Sequence, residues 1–200
     1  MKTSRLLLLW LLALAGCSPL GPRPDPSRFF VLSATATAES GSRTRDGVTV
    51  GVGPVTLPAY LQRPQIATRV GPNQVAYDEY TRWAQPLDNG ISRVLVQNLA
   101  VLLEPAQVGA FPWLGPPAAT YTVEIEIRQF EQSNAGTVEL TARWTIHDGK
   151  TKALIVARET TASETAPTND PAAAVAALSR TLATLGRDIA DGVRRADAPR

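Results

Sequence analysis

The sequence predicts a single α/β domain, with α+β as the neighbouring description. The expected architecture is a mixed sheet ending in an antiparallel meander and packed by two main helices. Three observations carry it. Apolar residues recur every three or four positions in residues 87–103 and again in 171–195, the period of amphipathic helices. Between them, residues 121–160 alternate apolar with polar around two turn signals. The order is then strands, helix, meander, helix.

Each element follows from local chemistry. Residues 29–32 (Phe-Phe-Val-Leu) form the first apolar run, and 34–46 is a polar loop. Residues 48–55 alternate valine with glycine, so a strand is expected that another backbone can approach closely. Residues 58–62 fit one helical turn. Two runs, 65–70 and 74–80, flank Gly71-Pro72-Asn73 and read as a hairpin. In the first helix Leu87, Ile91, Val94, Leu95 and Leu102 share a stripe; Pro86 suits its first position and Pro105 marks its end. Tyr121, Val123, Ile125 and Ile127 face one side of a strand, and Val138, Leu140, Ala142, Trp144 and Ile146 one side of the next. Asp148-Gly149 turns the chain into a third strand at 152–160. Asp170 caps the last helix, Pro171 starts it, and Val175, Leu178, Leu182, Leu185, Ile189 and Val193 draw its stripe. Its other face mixes Arg180, Arg187, Asp188 and Asp191 without basic excess, which favours packing on the sheet over lying on a membrane.

The N-terminus reads as a leader. Lys2 and Arg5 precede an apolar run at residues 6–14, which at about 1.5 Å per residue is much shorter than a bilayer core of about 30 Å. Leu14-Ala15-Gly16-Cys17 follows and resembles the lipobox of bacterial lipoproteins: small residues fit the peptidase cleft, and the Cys17 thiol takes the lipid. Residues 1–16 are thus expected to be a signal peptide and 17–27, with four prolines, a lipidated tether; residues 28–198 form the domain. Cys17 is the one cysteine, so no internal disulfide is available. Ser18, where an aspartate would retain a lipoprotein at the inner membrane, implies the outer membrane by likeness to bacterial sorting rules.

Charge and side-chain inventory exclude several function classes. The chain has 20 Lys+Arg and 18 Asp+Glu; loss of Lys2 and Arg5 with the leader balances them. A balanced domain gives no electrostatic case for nucleic acid. The single histidine, His147, sits beside Asp148 at a hairpin corner and has no nucleophile in its motif. Glu124 and Glu126 share a strand face, which reads as a solvated face rather than an acid pair. Gly51-Val52-Gly53-Pro54 lacks the lysine and helix start of a phosphate loop. No catalytic constellation, metal set or cofactor is expected.

Two segments carry a family likeness. One is Gly53-Pro54-Val55-Thr56-Leu57-Pro58-Ala59-Tyr60-Leu61-Gln62-Arg63-Pro64-Gln65-Ile66, and the other is Glu79-Tyr80-Thr81-Arg82-Trp83-Ala84-Gln85-Pro86-Leu87. With the lipobox and the early Phe29-Phe30-Val31-Leu32 run, they resemble the ABC-type transport auxiliary lipoprotein components, although members often carry an acidic residue where Gln62 stands. The resemblance implies a non-enzymatic outer-membrane lipoprotein in an intermembrane lipid transport system that supports envelope integrity. Its implied partners are an ABC permease and ATPase and a mammalian-cell-entry (MCE) domain protein spanning the periplasm, with self-association left open. The implied fold is an α/β domain related to the N-terminal domain of the Tol-Pal system's β-propeller protein.

Tyr60 and Arg63, with Arg82 and Trp83, combine aromatics and arginines as protein contacts do, and are the candidate partner-contact residues; the same aromatics could instead fill the core. The alternative function is an outer-membrane activator of a peptidoglycan synthase. A lipid shuttle would need a large apolar cavity.

Overall fold

The computed structural model describes residues 24–38, 44–112 and 118–198. The leader, Cys17 and most of the tether lie outside them. The strands are β1 (Arg28–Phe30), β2 (Thr49–Thr56), β3 (Gln65–Gly71), β4 (Gln74–Trp83), β5 (Gln107–Ala110), β6 (Tyr121–Ser133), β7 (Thr137–Asp148) and β8 (Leu154–Thr165). The helices are α1 (Leu87–Leu102) and α2 (Pro171–Asp197), and a 3-10 turn covers Ala59–Leu61. One mixed sheet of eight strands with two helices is the α/β architecture expected from the sequence.

β6 organises the sheet. One flank pairs antiparallel with β7, from Tyr121↔Asp148 to Gln132↔Val138, and β7 continues antiparallel to β8. The other flank is shared by two parallel strands: β2 pairs along residues 121–126, and β3 only at Gln132 and Ser133. β2 and β3 are therefore two halves of an interrupted strand, and residues 57–64 leave the sheet between them. Beyond β2 lies β5; beyond β3 lie β4 and then β1.

The alternation of β6 and β7 sorts their faces. Tyr121, Val123, Ile125 and Ile127 are buried with Leu140, Trp144 and Ile146, in a core to which α1 and α2 contribute their apolar stripes. On the opposite face Glu126 and Glu159 both pair with Arg128, at 3.4 and 2.7 Å. Such exposed pairs contribute little stability, but they keep that face polar. Asp170 caps α2 as expected, its side chain accepting from the N–H groups of Ala172 and Ala173. Gly192 lets α2 approach the sheet: a Cβ there would lie 2.8 Å from the Trp144 ring and 2.9 Å from Ile146 Cδ1. Gly192→Val should therefore cost about 1–3 kcal/mol through overpacking, read as a lower denaturation midpoint with unchanged slope.

Several boundaries differ from the sequence reading for identifiable reasons. Pro86 is the N-cap of α1, not its first helical residue: its ψ of 133° is extended, and its carbonyl accepts the first bond, from Gly90 N–H at 3.1 Å. The first strand ends at Phe30, two residues early, because the Leu32 carbonyl accepts from the Arg93 guanidinium at 2.6 Å. The chain there becomes a strap over the helices: the N–H groups of Thr35 and Ala36 donate to Asn98 Oδ1, and Ser33 N–H to Ser179 Oγ. β8 starts two residues late and runs five residues further than the reading, to Thr165, with Thr160 and Ala162 buried. β5 is an additional strand; four residues on the sheet edge leave too short a pattern to recognise.

Candidate partner-binding surface

The excursion at residues 57–64 is built to fill the gap it leaves. Leu61 anchors it in the core, and Leu61 N–H donates to the Pro58 carbonyl at 2.9 Å, closing the turn. Gln62 Nε2 donates back to the Leu57 carbonyl at 2.8 Å. Tyr60 then reaches the unpaired stretch of β6. Its hydroxyl donates to Glu131 Oε2 at 2.9 Å and lies 3.4 Å from the Arg128 carbonyl, where β6 bulges between Ile127 and Gln129.

Glu131 is the centre of this arrangement. Its side chain is fully buried, and an unpaired carboxylate there would be very costly. Arg69 of β3 answers it with Nε at 2.7 Å and a terminal nitrogen at 2.6 Å from Oε1, while Phe130 N–H donates to Oε2 at 2.9 Å. Turn, β3 and β6 are thereby tied together at the point where backbone pairing fails. Burial first, and the Glu131 charge second, push the Tyr60 hydroxyl above its ordinary value of 10.0. A raised acid binds its proton more tightly folded than unfolded, so this contribution is complete below about pH 10 and is lost as pH rises through the folded value. Denaturant midpoints should therefore fall above about pH 10, and Tyr60→Phe should make that fall shallower. Part of it should remain, because Tyr121 is raised too, by burial and then by Asp197.

The hairpin completes the surface. The Tyr77 hydroxyl donates to the Tyr60 carbonyl at 2.9 Å, and the Arg63 guanidinium stacks 4.9 Å from the centre of the Tyr77 ring. Trp83 N–H donates to the Pro64 carbonyl at 2.7 Å, so the two sequence segments singled out above meet in space. They also share a cleft of about 400 Å³, whose walls include Leu57 and Gln62 from one and Pro86 and Leu87 from the other. Arg82 donates to the carbonyl and carboxylate of Glu79, both at 2.7 Å.

The four candidate contact residues thus divide. Arg63 is exposed, Tyr60 and Arg82 are half-buried, and Trp83 is a core residue at 7% exposure. Trp83 closes the core beneath the hairpin and offers almost no surface of its own. Sequence reasoning missed Glu131, Arg69 and Tyr77. The one available signal was an acid beside Phe130 in a strand, and the bulge that turns it inward cannot be seen without the pairing.

The remaining chemical candidates have ordinary roles. His147 Nε2 lies 3.0 Å from Thr145 Oγ1 and Nδ1 3.3 Å from the Lys152 carbonyl, within the β7–β8 corner. Gly51 and Val52 are buried in the sheet, with β5 on one side and β6 on the other. Among the described residues no group of three or more His, Cys, Asp or Glu is placed to hold a metal ion, and no helix is long and apolar enough to cross a membrane.

Arginines and aromatics thus meet at one surface of an α/β frame. The chain belongs to the family of ABC-type transport auxiliary lipoprotein components, whose model matches residues 30–190. That match spans both the strap and the turn at 57–64. The family's description is that of an auxiliary lipoprotein component. No curated protein matches the sequence.

Two of the crystal structures that share the fold illustrate the likeness. One, of an uncharacterised protein, is 20% identical, with a TM-score of 0.71 over 84% of this chain and 98% of that one. The other, from Xanthomonas campestris, is 16% identical, with a TM-score of 0.72 over 84% and 95%.

Proposed function

We propose that the protein is the outer-membrane docking component of an intermembrane lipid transport system. Cys17 carries the lipid anchor on the periplasmic face, and the domain binds the MCE-domain protein that spans the periplasm from an ABC permease and its ATPase. Family membership supports the auxiliary role. The single observation that carries the docking role is the meeting of the two family-bearing segments at one surface, through the Trp83–Pro64 bond and the shared cleft. Arginines and aromatics held in place before binding lose little freedom on contact, which favours affinity.

The test is extraction of the lipoprotein from envelopes in mild detergent, followed by mass spectrometry of what co-purifies. An MCE protein with its permease and ATPase in stoichiometric yield is the expected result. A penicillin-binding protein in their place would contradict the proposal and favour activation of a peptidoglycan synthase.

A further inference from the structure

Unpaired N–H and C=O groups at the edge of a sheet invite another strand, and natural sheets protect such edges. Of the three strands that end this sheet, two are protected by being short. β1 has 3 residues and follows Pro24 and Pro26, which lack N–H groups; β5 has 4. β8 differs. It has 12 residues and no proline, and among the described residues only β7 pairs with it. A register shift near His147 disturbs its start and leaves Val156 to Thr165 regular. Thr160 and Ala162 of that stretch are buried, so Arg158 and Glu164 share their side, facing the helices. Arg158 is exposed and pairs with no group among the described residues. Glu164 accepts from Arg180 at 2.9 Å through Oε2, which leaves Oε1 open.

We propose that two copies of the chain pair through β8, antiparallel about a two-fold axis at Thr161, so that one sheet continues across both. The sequence of β8 selects that register. In a two-fold antiparallel pair each residue faces the one equally far beyond the axis, on the same side of the sheet. An axis at Arg158 or Glu159 sets that residue against its own copy, like charge on like. An axis at Ala157 sets Arg158 against Val156, and one at Thr160 sets it against Ala162; neither answers the charge. The axis at Thr161 sets Arg158 against Glu164, Glu159 against Ser163, Thr160 against Ala162 and Ala157 against Thr165. Symmetry makes the Arg158–Glu164 pair twice, and the overlap stays within the regular stretch. β1 and β5 of another copy are too short to cover it. The helices leave room. Thr160 donates to Asp188, and Gly192 meets Trp144, so α2 runs beneath the line between β8 and β7. The two copies of α2 then lie about 10 Å apart, an ordinary packing distance. The turn at 57–64 lies on the opposite flank of β6, so both docking faces stay open and the pairing does not depend on the docking role.

The test is sedimentation equilibrium of the full-length lipoprotein in mild detergent, joined to oxidative cross-linking. A monomer–dimer equilibrium is expected. Arg158→Glu should weaken it about tenfold, because both symmetric pairs become repulsive, while the melting curve stays where it was. Cross-linking reads the register. Thr161→Cys sets two thiols across the axis, with Cβ atoms about 4.5–5.5 Å apart, close to disulfide reach. Ser163→Cys, on the same side of the sheet, sets them roughly 14 Å apart along the strands. Disulfide dimers should form in the first chain and not in the second, with the unmodified chain measuring any background from Cys17. The Arg63→Glu, Arg82→Glu chain should dimerise as the unmodified one does. A monomer at every concentration, an assembly indifferent to Arg158→Glu, or equal cross-linking of the two cysteine chains would overturn the inference. So would protection of the β8 amides from hydrogen exchange only when a different protein is bound, since the edge would then belong to that partner.

Discussion

Replacing Trp144 by alanine should cost about 3–5 kcal/mol, among the largest losses of any single substitution in the core. Trp144 is 1% exposed and sits in the middle of β7, beneath α2 at the point where Gly192 allows close approach. Its indole N–H donates to Thr160 Oγ1 at 3.0 Å, and that hydroxyl donates to Asp188 Oδ2 at 2.6 Å. One side chain therefore fills the space between helix and meander and links β7, β8 and α2 by hydrogen bonds. Truncation leaves a cavity that the long strands cannot collapse into and breaks the chain at its buried end. Equilibrium denaturation should show a single transition at a lower midpoint. Trp144→Phe, which keeps most of the volume, should recover much of the loss, and a loss below about 1 kcal/mol for alanine would contradict this packing.

The second large effect is expected at Arg69. Arg69→Ala leaves the fully buried Glu131 carboxylate with only a tyrosine hydroxyl and one backbone N–H, and breaking a buried pair in this way typically costs about 3–5 kcal/mol. Arg69 is itself 28% exposed, so water entering beside the alanine should hold the loss near the lower end. Replacing both partners by apolar residues of similar size should cost less than Arg69→Ala alone, because no charge is then stranded. A double-mutant cycle measures the difference, and additive losses would show that the pair is not coupled.

These two sites also show what the sequence could reveal. Trp144 was legible: it falls on the apolar phase of a strand whose alternation is regular from Val138 to Ile146. The paired helices and the three-stranded meander were legible for the same reason, since each buries one face and writes its period into the chain. Glu131 was not, because the bulge near Arg128 shifts the register and puts Phe130, Glu131 and Gln132 all inside. Nor could periodicity show that β2 and β3 share one flank of β6 and that Tyr60 plugs the gap between them. That relation joins residues more than sixty positions apart. The candidate surface was legible only as a string. Its geometry separates Arg63, which is free to meet a partner, from Trp83, which holds the core.

The docking role proposed for the protein places the turn at 57–64 and its hairpin against the partner. The most direct measurement is partner capture by an Arg63→Glu, Arg82→Glu chain beside the unmodified lipoprotein, with melting curves taken on both. Arg63 contributes only a stacking contact with Tyr77, and Arg82 a half-exposed pair with Glu79, so the fold should survive with a loss of about 1 kcal/mol or less. At least a tenfold loss of MCE-protein capture is expected from a chain that still melts cooperatively. Undiminished capture by the folded variant would contradict it.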